Sequence, residues 1–134
     1  MNEEISYVSM KEIRNGRFLL IDNIPCRVVE IETSAPGKHG AAKMRITAVG
    51  VFDGQKRTLL KPSDADAEAP IINKKKAQVV SVSESRVQLM DSESFETFEI
   101  SIDEEYRASL KPGAEVELLV YGDRKAISRI LSGA

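Results

Sequence analysis

The chain has 134 residues, of which 42% are hydrophobic and 30% charged, with a formal net charge of −2. That length fits one ordinary domain or two small ones, and the composition is globular rather than disordered. No apolar run approaches the roughly 20 residues that span a bilayer, and the single cysteine, Cys26, excludes an intrachain disulfide and a multi-cysteine zinc site. The acidic start, Met1-Asn2-Glu3-Glu4, lacks the apolar stretch of a secretory signal, so a cytoplasmic protein without a membrane partner is expected.

In chain order, Ser9-Met10-Lys11-Glu12 has capping-box spacing and Asn15-Gly16 follows as a stop, which predicts a single helical turn. Phe18 to Ile21 is a short apolar strand, and Asp22-Asn23 is a two-residue turn of the kind that closes a tight hairpin. Cys26 to Thr33 forms the next strand, with apolar residues changing parity between Val28 and Val29. Met44 to Val51 shows a similar change between Ala48 and Val49. Parity shifts in both partners predict bulges or bends, which small barrels need in order to close. Asp53-Gly54 turns the chain into a strand over Arg57 to Lys61. Residues 62–70 contain no large apolar side chain and read as a long loop. The chain then changes domain near residues 70–74, giving expected domains 1–70 and 71–134.

The second half predicts strands over Val79 to Val82, Val87 to Met90 and Thr97 to Ile102. Asp103 is a good helix N-cap, acids follow in the first turn, and Lys111-Pro112-Gly113 stops a helix ending near Leu110. Val116 to Tyr121 and Ala126 to Leu131 complete the set around a Gly122-Asp123 turn. Three strands, a short helix and two strands make the element order of an OB barrel. Its face lacks an obvious set of stacking aromatics, and Phe95 and Phe98 are read as packing residues. Cys26, on a strand near Val28, reads as a small core residue.

Charge is balanced globally, with 10 bases and 10 acids in residues 1–70 and 9 and 11 in residues 71–134. That balance argues against a nucleic-acid binder built on overall charge. Locally it is not balanced. Between Thr33 and Thr47 lie Lys38, Lys43, Arg45 and the only histidine, His39, with no acid. Within this stretch, Pro36-Gly37 presets a tight turn and Gly40 permits a close backbone approach. No residue from Ser34 to Ala42 offers a bulky apolar side chain to anchor the loop in a core. The segment 34–43 is therefore predicted to project between two strands with Lys38 at its apex. Each arm, about four residues long, reaches roughly 13 Å if extended at about 3.3 Å per residue. A phosphate-binding P-loop does not fit, since His39 follows Lys38 and no helix is predicted after it. An acid–base pair of His39 and Lys38 for RNA cleavage lacks the clustered carboxylates or second histidine such chemistry needs.

The segment Ser34-Ala35-Pro36-Gly37-Lys38-His39-Gly40-Ala41-Ala42-Lys43 closely resembles the modification loop of the translation initiation factor 5A family, the hypusine-containing factors. Residues 21–31 look like the family's preceding hairpin. Gln88-Leu89-Met90-Asp91 and Glu96-Thr97-Phe98-Glu99 look like its second domain. Pro36 before Gly37 and the short N-terminus resemble archaeal members. The resemblance implies a mainly all-β protein of two small barrels, an SH3-like N-terminal barrel and a C-terminal OB-fold with one short helix. It implies no enzymatic activity and no cofactor. Instead, Lys38 accepts a spermidine-derived aminobutyl group from deoxyhypusine synthase. The implied partners are the ribosome and peptidyl tRNA, with the factor a monomer or weak dimer.

The residues around Lys38 carry graded expectations. Ser34, Pro36, Gly37, His39, Gly40 and Lys43 belong to the loop, with the two glycines allowing a tight tip that enters the modifying enzyme. Lys43 is a candidate phosphate or tRNA contact, and His39 is either such a contact or a merely exposed loop histidine. Arg45, on the following strand, is either a solvated outward charge or an RNA contact, and the same two readings stand for Lys74, Lys75 and Lys76. A stand-alone RNA-binding module using the OB face and the basic loop is the alternative function.

Overall fold

Asp22 and Asn23 both adopt left-handed backbone, with φ of 55° and 63°, the conformation a two-residue hairpin turn of the twisted type demands. The turn joins β2 (Phe18–Ile21) to β3 (Ile24–Ser34). A computed structural model of the chain describes residues 4–34 and 42–133. It divides into two units, one ending at Ile71 and the other beginning at Ile72.

In the first unit β1 (Ile5–Ser9) runs into a single 3-10 turn over Met10–Glu12. After β2 and β3 come β4 (Lys43–Gly50), β5 (Lys56–Pro62) and β6 (Asp66–Pro70). The four-stranded sheet has the order β2-β3-β4-β5, and β1 pairs separately with β6. Alternation places Cys26, Val28, Met44, Ile46 and Ala48 inside, where they meet Met10, Ile13 and Leu19 in a common core. Each fully buried Ile, Leu or Met in such a cluster contributes roughly 1.5–3 kcal/mol.

Two expectations about this unit need correction. Residues 62–70 are not a loop throughout, because Asp66–Pro70 is a strand antiparallel to β1, with Val8 opposite Ala67 and Ser6 opposite Ala69. Ala67 and Ala69 are buried. Alanine's small side chain gives little apolar signal in a sequence. Likewise, only one of the two predicted bulges exists in the β3–β4 pair. The register slips between Val28 and Glu30, leaving Val29 as an extra, exposed residue of β3. Strand β4 keeps one phase to its end: Met44, Ile46, Ala48 and Gly50 all point inward. The apparent shift at Val49 and Val51 arose because Val51 already belongs to the turn after β4.

The second unit contains β7 (Asn73–Val82), β8 (Arg86–Asp91), β9 (Thr97–Ser101), β10 (Glu115–Tyr121) and β11 (Arg124–Ser132). They form one sheet in the order β11-β10-β7-β8-β9, curled around Ala77, Val79, Val87, Leu89, Val116 and Leu118. Val80 is the extra residue of a slip in the β7–β8 pair. This is the OB arrangement, and the first unit is the SH3-like one. The short helix is smaller than expected, a 3-10 turn over Arg107–Ser109. Its bonds, Tyr106 N to Asp103 O at 3.0 Å and Ser109 N to Tyr106 O at 2.9 Å, all span three residues. A segment this short draws its stability from tertiary packing and not from helix propensity. It is held instead by Leu110 in the core and by the Tyr106 hydroxyl, which donates to Ser128 O at 2.6 Å. Among the described residues no helix is long and apolar enough to cross a membrane.

Candidate functional site: the stem of the basic loop

Strands β3 and β4 pair in register up to Ser34 opposite Lys43. At that last pair the Ser34 hydroxyl donates to Lys43 O at 3.2 Å. On the other side β4 pairs with β5 as far as Lys43 opposite Pro62, and Ser63 N–H donates to Ala42 O at 2.7 Å. The root of the loop is thus tied to both neighbouring strands. Below it Met44 and Ile46, 6% and 0% exposed, anchor the stem in the core. Pro36, Gly37, Lys38, His39 and Gly40 lie outside the described residues.

Of the flanking residues, Lys43 and Arg45 share the outward face of β4, and both are exposed. Glu32 stands opposite Arg45 in register, a partner that reading the bases alone overlooks. Leu60, opposite Arg45 on the other side, is also exposed. A cation, a carboxylate and an apolar side chain in one row make a mixed face, less suited to tracking phosphates than a run of bases.

Lys74, Lys75 and Lys76 belong to β7 of the second unit, so the hairpin and this run are carried by different elements and different units. Lys75 lies 3.9 Å from Asp91 Oδ2, and Lys76 stands opposite Glu117 in register. Together with Ser92 and Glu93 they line an open depression of about 390 Å³. Asp91 offsets Lys75, whereas Glu117 is bonded to Ser128 and Arg129.

Asp91 is nearly buried, and its Oδ1 accepts the amides of Glu93 at 2.8 Å and Ser94 at 3.0 Å. Those amides of Ser94 and Glu93, with Lys75 adding to them, hold its carboxyl below the usual carboxylate range. Cys26 is fully buried in the first core, and burial pushes its thiol up, away from the nucleophilic thiolate. The two phenylalanines separate. Phe98 packs half-buried against the second core with Lys125 Nζ 5.1 Å from its ring centre. Phe95, expected to pack, is 68% exposed. It lies in the loop before β9, outside the alternation that turns Phe98 and Ile100 inward. Among the described residues no group of His, Cys, Asp and Glu is arranged to hold a metal ion.

A family model described as "Translation initiation factor 5A-like, N-terminal" matches residues 6–65. The translation initiation factor 5A of Methanopyrus kandleri is 48% identical over 130 residues, covering 95% of this chain and 96% of that protein. That of Pyrobaculum islandicum is 51% identical over 127 residues, covering 92% of this chain and 96% of that protein. Among solved structures, a eukaryotic translation initiation factor 5A from Methanococcus jannaschii superposes with a TM-score of 0.85 at 35% identity, over 95% of each chain. With relatives this similar along nearly its whole length and the two-barrel fold in common, the chain belongs to the translation initiation factor 5A family, whose members are non-enzymatic translation factors.

Proposed function

We propose that Lys38, carried by the SH3-like domain (residues 1–70) beside an OB domain (residues 71–134), is converted by deoxyhypusine synthase to deoxyhypusine or hypusine. The extended side chain then acts on the ribosome in the cytoplasm. There it positions the acceptor end of the peptidyl tRNA, favours peptide-bond formation and relieves stalling. The observation that carries this reading is the double tether at the root of the loop, Ser34 to Lys43 on one side and Ser63 to Ala42 on the other. A rigid stem under a glycine-rich segment suits a probe whose value is its position. The aminobutyl extension keeps the lysine charge and adds reach and donors, which suits a site crowded by phosphates. Orientation alone can contribute several kcal/mol to a reaction between bound groups, so the factor needs no catalytic group of its own. The remaining loop residues, Pro36, Gly37, His39, Gly40 and Lys43, shape the tip or meet tRNA. Arg45 and Lys74–Lys76 are secondary RNA contacts of a factor working as a monomer or weak dimer.

A stand-alone RNA-binding module finds less support, since Phe98 is half-buried beneath Lys125 and Lys75 of the run pairs with Asp91. The test is the intact mass of the protein from its native host, together with a Lys38→Arg variant. Added mass of the aminobutyl group on Lys38 is expected. The variant should keep its free energy of unfolding within about 0.5 kcal/mol, as a surface substitution does, and lose relief of stalling at consecutive prolines. Unmodified Lys38 in growing cells, or full relief by the variant, refutes the proposal.

A further inference from the structure

The loop Ser92–Glu96 between β8 and β9 is built more firmly than a connecting turn requires. Asp91 N–H donates to Glu96 O at 2.9 Å, Phe95 N–H to Asp91 O at 2.8 Å and Ser92 N–H to Lys76 O at 3.0 Å. The nearly buried Asp91 carboxylate adds its two bonds to Glu93 and Ser94 from inside. On this frame Phe95 occupies left-handed backbone, with φ of 62°. In hairpin loops of this length that position favours glycine, and a bulky side chain there is strained. The strain brings no packing in return, because the ring is 68% exposed.

A side chain that breaks its local rule, gains no burial and sits on a braced frame has the properties of a preorganised binding anchor. Its surroundings indicate what it binds. Glu93 and Glu96 flank it and are exposed, and the neighbouring Lys75 is paired with Asp91. An acidic rim repels nucleic-acid phosphates and attracts a basic protein surface. We propose that Phe95 docks the OB domain onto a basic ribosomal protein, the ring entering an apolar socket and Glu93 and Glu96 meeting its Lys and Arg rim. The proposal rests on the ribosomal reading given above and adds a second contact, independent of Lys38.

Binding of the full-length, modified chain to purified archaeal 70S ribosomes tests it, with p-benzoylphenylalanine at position 95 as a photocrosslinker. Phe95→Gly should melt a few degrees higher, because the strain is relieved, yet bind at least about tenfold more weakly. Glu93→Lys with Glu96→Lys should weaken binding in the same direction, and the crosslink should fall on a basic ribosomal protein. Wild-type binding that Phe95→Gly leaves unchanged overturns the anchor while leaving the Lys38 reading intact. A crosslink to ribosomal RNA overturns it in favour of base stacking. Failure of the wild-type chain itself to bind ribosomes overturns both readings.

Discussion

Gly50 ends β4 where the chain must pass under the Asp53–Arg57 pair. Arg57 Nη2 donates to Asp53 Oδ2 at 2.8 Å and Nη1 to Oδ1 at 3.1 Å, while Gln55 N–H donates to the same Oδ1 at 3.0 Å. A Cβ on Gly50 would overlap Asp53 Oδ1 and stand 2.9 Å from Arg57 Nη1. In Gly50→Ala the carboxylate must swing away and release both partners. The lost amide bond and the partly exposed, bidentate ion pair are each worth about 0.5–1 kcal/mol, so the variant should lose roughly 1–2 kcal/mol. Asp53→Ala forfeits the same contacts and should cost about as much. The double variant is the decisive one. Without the carboxylate the new methyl group has room, and Ala restricts the unfolded chain by about 0.4–1 kcal/mol. The pair of substitutions should therefore cost no more than Asp53→Ala alone, a departure from additivity of at least about 1 kcal/mol. The chain has no tryptophan, so urea titration followed by far-UV circular dichroism is the suitable assay. The pH dependence adds a check. The hydrogen bond from Arg57, then that from Gln55, holds the Asp53 carboxyl below its usual range. Its stabilisation is thus present above the unfolded value of about 3.9 and lost as pH falls through the lower folded value. The gap between wild type and Gly50→Ala should narrow on acidification below about pH 4. Additive costs at pH 7, or a gap independent of pH, would refute the reasoning.

Asp91 is expected to titrate below about 3.9 by carboxyl NMR, so its stabilisation is lost only as pH falls through that depressed value. Asp91→Ala should cost about 2–3 kcal/mol by urea titration, because it strands the amides of Glu93 and Ser94. A normal titration would mean that the Ser92–Glu96 loop is not braced as described. Cys26, fully buried and with its thiol pushed up, should react with a disulfide reagent at pH 8 only at the rate of unfolding. Rapid labelling of the native chain would show that the first core opens locally.

Turns were the most legible features of the sequence, since Asp22-Asn23 and Gly122-Asp123 carry residues chosen for backbone conformation and both close hairpins where expected. The OB order was legible because Phe98, Ile100 and Ile102 alternate cleanly. Strand β6 was not, since its buried positions, Ala67 and Ala69, carry too little apolar surface to stand out in the sequence. The segment 103–110 carried good capping residues, yet its apolar positions, Tyr106 and Leu110, anchor only one turn. Around the basic loop, composition marked the exposed cations but not their register. Glu32 faces Arg45 only because Val29 slips the strand by one residue, and pairing of that kind depends on a partner strand, not on local sequence. Phe95 was misplaced for a related reason: hydrophobicity was taken as burial, whereas the residue lies in the loop before β9 and not on a strand.

The position of β4, hydrogen-bonded along its length to β3 on one side and β5 on the other, has a mechanical consequence. A force on the loop directed along the hairpin loads these two ladders in shear, many backbone bonds at once, and does not peel them open one by one. A load of that kind leaves the root at Ser34 and Lys43 fixed, and the first unit serves as a clamp for the stem.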